Sequence, residues 1–136
     1  MDGVLVTPLK RIAGPAGDVL HGLKASEPGY AGFAEAYFSE IHQGAIKSWR
    51  RHNRMTMNLV VPRGNVRFVL HDERSCTFAE HMIGEANYAR LTVAPGLWVA
   101  FRGQGPGTSL ILDITDAEHD PAEAESRDVS AFAFSW

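Results

Sequence analysis

The sequence predicts an all-β domain built from short antiparallel strands. Glycine and proline recur at short intervals along the chain, and turns this close together leave room for strands but not for long helices. The segments between the turns are rich in β-branched and aromatic residues and often alternate in polarity. A chain of 136 residues has the length of one domain and can bury one hydrophobic core. We therefore expect a single domain over residues 1–136.

The predicted strands follow one another along most of the chain. They are EAYFSEI, MTMNLVV, NVRFVL, YARLTV, LWVAF, TSLILDIT and AFAFSW. In NVRFVL the two-residue period of a strand places Val66, Phe68 and Leu70 on one face, which we expect to be buried. The residues predicted in or near the core are Val66, Phe68, Leu70, Leu91, Val93, Phe101 and Ile111.

One stretch, DAEHDPAEAESRD at residues 116–128, has helical composition. Pro121 and its acidic neighbours would suit the first turn of a short helix or a solvated loop, and we expect the loop.

Composition excludes several classes of partner and location. The formal net charge is −3 and the isoelectric point is near 6.0, so no surplus of cations favours nucleic acid or an anionic membrane. The single cysteine, Cys76, cannot form an internal disulfide, and the first residues lack the apolar run of a secretory signal. No apolar run approaches the roughly 20 residues that span a bilayer. The sequence therefore predicts a soluble cytoplasmic protein.

A small antiparallel domain hides its sheet edges by closing on itself or by forming a sandwich, and a jelly roll of two sheets is one solution. The strand pattern alone does not distinguish the jelly roll from an immunoglobulin-like sandwich. A sequence motif at residues 44–64 does, and it reads GAIKSWRRHNRMTMNLVVPRG. This segment resembles the first motif of the cupins, which are jelly rolls, and PGLWVAF resembles the second. The four positions that bind metal in cupins hold Arg50, His52, Met57 and Val99 here.

The donor set at these four positions argues against a metal centre. Catalytic metal sites normally supply about three protein ligands, and His52 alone cannot replace them. Arg50 carries a fixed positive charge and has no lone pair to offer a cation. We expect neither a metal nor another cofactor.

A closer resemblance covers residues 33–122. In this range the chain resembles the dTDP-4-dehydrorhamnose 3,5-epimerase family, and more specifically its short relatives in sugar biosynthesis. The resemblance implies a cupin-type jelly roll of two antiparallel sheets that needs no metal, is usually dimeric and takes a nucleotide sugar. The residues in step with the family are Gly44, Lys47, Asp72, Arg74, Thr77, Phe78, Asn87, Pro95, Gly96 and Phe101.

The residues that transfer protons in the family are replaced in this sequence. In the family, a histidine supported by an aspartate removes the proton beside a ketone, and a tyrosine on the opposite face returns one. Lysine or arginine stabilises the enolate oxygen. By resemblance these histidine and tyrosine positions fall on Arg50, Val99 and Leu112. The resemblance therefore implies the fold and a sugar-nucleotide ancestry more directly than it implies the reaction.

The strand AIKSWRRH supplies the main candidates for a ligand site. Strict alternation places Arg50 and His52 on one face, directed into the barrel, and Lys47 on the other. Arginine binds phosphate and carboxylate through paired hydrogen bonds, so Arg50 and Lys47 are predicted to bind an anionic substrate. The alternative is that these cations only solvate a loop. His52 and His71 are the candidate bases, although His71 could simply lie at a strand end beside carboxylates.

Two further residues are candidates for substrate binding. By resemblance Arg74 reaches a nucleotide phosphate, but it could equally pair with Asp72 or Glu73. Trp98 could stack on a base or sugar, or belong to the core.

Three hypotheses remain open at this point. The chain could be an isomerase acting on a dTDP-linked keto-deoxyhexose through a repositioned base, a binding protein that keeps the anion site without proton transfer, or a structural dimer. A homodimer is expected in each case, because the amino-terminal segment VLVTPLKRI could extend a sheet edge.

Overall fold

Two five-stranded antiparallel sheets face each other in the computed structural model, which describes residues 1–136. The elements are β1 (Val4–Pro8), β2 (Arg11–Ile12), β3 (Val19–Leu20), β4 (Glu35–Ile41), β5 (Ile46–His52), β6 (Met57–Arg63), β7 (Asn65–Asp72), β8 (Thr77–Gly84), β9 (Ala89–Val93), β10 (Trp98–Gly103), β11 (Ser109–Thr115) and β12 (Ala124–Ser126), with 3₁₀ turns at Pro121–Glu123 and Val129–Ala131. The first sheet has the order β1-β9-β6-β11-β4, the second β12-β5-β10-β7-β8, and β2 and β3 form a hairpin. This confirms the predicted jelly roll. No helix is long and apolar enough to cross a membrane.

The core lies between the two sheets and contains the residues that the sequence pattern predicted. Val66, Phe68 and Leu70 on β7 are completely buried, as the two-residue period requires. Leu91, Val93 and Ile111 belong to the same cluster, and the half-buried Phe101 packs against it.

A second apolar cluster covers the outer face of the second sheet. It is built on Trp49, Trp98, Val69 and Ala100. The carboxyl-terminal segment AFAFSW was predicted as a strand. After Ala131, which ends a 3₁₀ turn, it instead crosses this face without regular structure and covers it with aromatic side chains. Its alternating aromatic residues were wrongly interpreted as a strand because alternation also suits a segment that lies across apolar side chains. The residues of this segment that pack on the cluster are Phe132, Phe134 and Trp136.

The acidic stretch was expected to be a solvated loop, and this was wrong for its central part. Asp120 caps a 3₁₀ turn that begins at Pro121, and the chain then forms β12 against β5. Glu123, at the end of the turn, is only 4% exposed. It is buried because its carboxylate accepts hydrogen bonds from groups at the end of β5.

A β-bulge in β5 changes which side chains face the interior. Along β10, Val99 pairs with Arg50 and Phe101 pairs with Lys47, so two residues of β5, Ser48 and Trp49, oppose one residue of β10. Val99 and Phe101 lie on the inner face, and their two partners therefore lie there too. The strict alternation that placed Lys47 on the opposite face from Arg50 was wrong at this point.

Candidate active site

A cavity of about 500 Å³ lies between the two sheets, next to the edge strand β4. The four positions of the cupin metal motif converge in it, since Arg50, His52, Met57 and Val99 all line the cavity. Only His52 among these four has a nitrogen lone pair that suits a metal. The complete lining is Tyr37, Ser39, Ile46, Lys47, Ser48, Trp49, Arg50, His52, Met57, Leu59, Val99, Phe101, Ile111, Asp113 and Ser126.

His52 and Glu123 form a buried pair at one wall of the cavity. Nδ1 of His52 donates to Oε1 of Glu123, and this is the ring's one hydrogen bond, so Nε2 is not bonded within the protein. The other carboxylate oxygen accepts from the backbone N–H groups of Asn53, Arg54 and Met55. Burial would raise the pKa of Glu123, but the hydrogen bonds from His52 and from the backbone lower it below its ordinary value. Glu123 is thus a carboxylate at neutral pH, and it fixes the His52 ring with Nε2 available to accept a proton.

Tyr37 and Asp113 form a second pair on the opposite wall. Tyr37 on β4 and Asp113 on β11 are partners in strand register, and the Tyr37 hydroxyl donates to Oδ2 of Asp113 over 2.8 Å. Asp113 is 2% exposed, and burial raises its pKa to about 7. Burial and the charge of Asp113 raise the pKa of Tyr37 as well, against an opposing effect of Arg50. The Tyr37 phenol is protonated near neutral pH, as an ordinary phenol is, and so has a proton to give.

Two cations complete the polar part of the cavity. Lys47 donates to the Ser39 hydroxyl over 2.9 Å, and its ammonium lies 5.8 Å from the centre of the Phe101 ring. Arg50 is exposed and has no carboxylate partner. Its neighbours differ, because Arg51 pairs with carboxylates of Glu73 and Glu125 at 2.6 Å and Arg54 pairs with a carboxylate at 3.3 Å. Arg50 is therefore free to bind an anion.

Most of the remaining lining is apolar, although Ser48 and Ser126 also line the cavity. The apolar part is formed by side chains of β6, β10 and β11 that belong to the core cluster or pack against it. Such a surface suits a carbon-rich part of a ligand and excludes water from it. The residues are Met57, Leu59, Val99, Phe101 and Ile111.

The structure does not bring His71, Trp98 or Arg74 to the cavity. Nδ1 of His71 donates to the Thr77 carbonyl, and its ring stacks on Phe78 in the outer cluster. Trp98 is completely buried on the same outer face, where its indole N–H donates to a Glu73 carboxylate oxygen over 2.7 Å.

Arg74 lies in the turn between β7 and β8 and pairs with Asp72. It is 80% exposed and makes three hydrogen bonds to that carboxylate, from its backbone N–H, Nε and Nη2. This is the alternative that the sequence left open, and it accounts for the lowered pKa of Asp72.

Three site residues were missed by sequence reasoning: Tyr37, Asp113 and Glu123. Asp113 did carry a signal, because it follows the predicted core residue Ile111 by two positions and therefore shares its face. Tyr37 has the same relation to the buried Ile41, four positions later. The position compared with the family tyrosine, Leu112, does not line the cavity, while its neighbour Asp113 does. Glu123 gave no signal, since only the fold brings it to His52.

No protein-family model and no curated protein matches the chain. Among solved structures, the chain is 33% identical to a dTDP sugar isomerase from Desulfovibrio desulfuricans G20, with a TM-score of 0.94 over 99% of this chain and 91% of that one. The chain belongs to the RmlC-like cupin family.

More distant RmlC-like structures share the fold. A sugar 3,4-ketoisomerase from Thermoanaerobacterium thermosaccharolyticum in complex with TDP is 13% identical, with a TM-score of 0.78 over 92% of this chain and 88% of that one. The 3,5-epimerase of Legionella pneumophila Philadelphia 1, in complex with dTDP-4-keto-L-rhamnose, is 14% identical, with a TM-score of 0.80 over 93% and 73%. The jelly roll is therefore retained at low identity.

The raised pKa of Asp113 predicts a specific pH dependence of stability. Between its ordinary pKa of 3.8 and about 7, the folded protein holds a proton that the unfolded chain has released, so stability falls as pH rises through this window. At about 1.4 kcal/mol per pKa unit, wild type should lose on the order of 2 to 3 kcal/mol relative to Asp113→Asn between pH 5 and pH 8. Urea denaturation of both proteins at the two pH values measures this difference. Parallel losses in the two proteins would contradict it.

Proposed function

We propose that this protein is an isomerase that moves a proton at a carbon next to the keto group of a dTDP-linked 4-keto-6-deoxyhexose. The observation that carries this proposal is the presence of two proton-handling pairs, His52 with Glu123 and Tyr37 with Asp113, on facing sheets of one cavity. A substrate between the two walls would have a base on one face and an acid on the other. This arrangement suits inversion of a carbon centre through an enolate.

His52 is the base in this proposal. Removal of a proton beside a ketone needs a group that is unprotonated near pH 7 and within hydrogen-bond reach of the carbon, and imidazole is the side chain that ordinarily meets the first condition. Nε2 of His52 is the ring nitrogen that makes no hydrogen bond within the protein. Glu123 holds the proton-bearing Nδ1 and stabilises the imidazolium that forms when Nε2 takes the substrate proton.

Tyr37 is the acid that returns a proton to the opposite face. Its phenol is protonated at neutral pH, since the ordinary pKa of tyrosine is already about 10 and burial and Asp113 raise it further. It lies on β4, in the sheet that faces β5. The proton that leaves the substrate and the proton that replaces it are thus handled by different residues, which is what inversion requires.

Arg50 and Lys47 bind the negative charge of the substrate. Each is a cation at the cavity wall without a carboxylate partner, and either could bind the diphosphate or stabilise the enolate oxygen. The apolar lining would contact the carbon face of a deoxysugar and its methyl group.

The substrate class is supported by the relatives. The structure that is 33% identical is described as a dTDP sugar isomerase, and the more distant structures contain TDP or a dTDP-linked keto sugar. The unpaired cations of this cavity agree with a ligand of that charge.

A second candidate is a nucleotide-sugar binding protein without catalysis. It is favoured by one observation: the position compared with the family's base is Arg50, which cannot accept a proton. Both candidates use the same anion site, and proton exchange separates them.

Proton exchange tests the reaction directly. Wild-type protein in deuterium oxide should incorporate deuterium next to the ketone of dTDP-4-keto-6-deoxyglucose, and His52→Gln should slow this by about 100-fold or more, because the base is lost. His71→Gln is the matched control, since it alters a buried histidine outside the cavity and should exchange at the wild-type rate. Mass spectrometry measures the label. Equal exchange in His52→Gln would refute the role of His52, and wild type that binds dTDP without exchange would support the second candidate.

Binding of dTDP tests the anion site independently of catalysis. A ligand that binds the native state raises the melting temperature. Arg50→Ala should weaken the dTDP affinity by about tenfold or more, since a charge-assisted hydrogen bond is lost. Arg54→Ala removes an arginine that is already paired outside the cavity and should bind dTDP as wild type does. Equal weakening in the two variants would show that only general charge matters.

We also propose a homodimer in the cytoplasm. The strands β1 and β4 lie at the two edges of the first sheet, and Leu5 and Val6 on β1 are partly exposed, so a neighbouring strand could pair there. Light scattering at micromolar concentration should give the mass of two chains. A single-chain mass would contradict the proposal.

A further inference from the structure

Asp113 is a carboxyl group buried in the cavity wall without a cationic partner. It lies on β11, an inner strand of the first sheet, and lines the cavity while being almost fully buried. One oxygen, Oδ2, accepts from the Tyr37 hydroxyl over 2.8 Å. The other, Oδ1, is buried and makes no hydrogen bond of normal geometry. Besides Tyr37, the backbone N–H of Asn58 acts on this carboxyl and lowers its pKa against the larger, raising effect of burial. No arginine, lysine or histidine forms an ion pair with this group, although such a partner is the usual way to bury a carboxylate.

We infer that Asp113 is a positioning residue that holds the Tyr37 hydroxyl towards the substrate and returns a proton to Tyr37 after Tyr37 has protonated the substrate carbon. This inference rests on the proposed function. It gives the first sheet its own source of protons, the carboxyl of Asp113. With this source of protons, the phenolate left by each turnover is reprotonated by a group already in hydrogen-bond contact, 2.8 Å away, and not by a water molecule that must first enter the cavity.

The proton transfers balance as follows. Nε2 of His52 takes the proton from the carbon beside the ketone, and the C–H electron pair becomes part of the enolate. The enolate carbon then takes the Tyr37 proton on its other face, so the O–H bond of Tyr37 breaks and a new C–H bond forms. The neutral carboxyl of Asp113, with its proton on the Oδ2 atom that contacts Tyr37, donates to the phenol oxygen, which leaves the Tyr37 proton for the substrate. It then gives its proton to the phenolate and becomes a carboxylate. His52 later releases one proton to water and Asp113 takes one up, which restores the starting state.

The surroundings of Asp113 suit this exchange of protons. Its pKa is raised to about 7, mainly by burial, so that both the neutral and the charged forms exist near neutral pH. The charges in its neighbourhood have both signs, while β6 and β10 contribute apolar side chains to the cavity. The titratable and charged groups that face it or act on its pair with Tyr37 are Glu35 and Tyr37 on β4, and Lys47, Arg50 and His52 on β5.

The experiment separates removal of the proton from its return. Wild type, Asp113→Asn and Tyr37→Phe are each incubated with dTDP-4-keto-6-deoxyglucose in deuterium oxide, and nuclear magnetic resonance measures both total deuterium uptake and the fraction of product with inverted configuration. Asn at position 113 can still accept from Tyr37 but cannot supply a proton at neutral pH. Both variants should reduce inversion by about tenfold or more, while deuterium uptake with retained configuration, which depends on His52, changes less than about twofold.

The pH profile gives the readout that a purely structural role would not alter. In wild type, inversion should decline as pH rises through about 7, because Asp113 then loses the proton that it must supply. In Asp113→Asn the residual inversion should not show this step. Asp113→Asn with wild-type inversion, or with uptake and inversion lost together, would overturn the inference. Wild type without any deuterium uptake would instead contradict the proposed function.

Discussion

The carboxylate of Glu123 is the interaction on which the site depends. One of its oxygens holds Nδ1 of His52, and the other accepts from three consecutive backbone N–H groups just after β5. A buried carboxylate is stable only if its lone pairs are occupied, and here four donors occupy them. The same group therefore ends β5, anchors the 3₁₀ turn that precedes β12 and sets the tautomer of the histidine. Glu123 thus determines both the backbone conformation of this cavity wall and the orientation of His52.

The bulge in β5 is the second feature on which the cavity depends. It gives Lys47 and Arg50 the same inward direction although they are three residues apart, and it leaves Trp49 on the outer face. A regular strand would separate the two cations across the sheet. The outer aromatic cluster is thus coupled to the cavity, because the indole that it buries is one of the two bulged residues.

The sequence predicted the fold well because its signals are local. Turn residues and the two-residue period identified the strands and the buried face of β7, and the spacing of the cupin motif identified Arg50 and His52 as cavity residues. The positions of Tyr37 and Asp113 follow from the same period, once a polar residue on a core face is treated as a site signal. The effect of the bulge on Lys47 could not be predicted, since it is visible only in the pairing with β10.

The partner of His52 could not be predicted for a different reason. Glu123 and His52 are 71 positions apart, and neither residue alone indicates the contact. The carboxyl-terminal aromatic segment gave a misleading signal, because Phe132 and Phe134 alternate like strand residues but cover a sheet instead of joining it. Long-range contacts of this kind are decided by packing and not by local pattern.

The sequence separation of this pair has a consequence for synthesis of the protein. A chain leaves the ribosome from its amino terminus, so β5 is made well before the turn that carries Glu123. During that interval the imidazole has no carboxylate to fix its orientation, and the cavity lacks the wall that β12 provides. The His52 ring is therefore oriented, and this wall of the cavity completed, only after β12 has joined the second sheet.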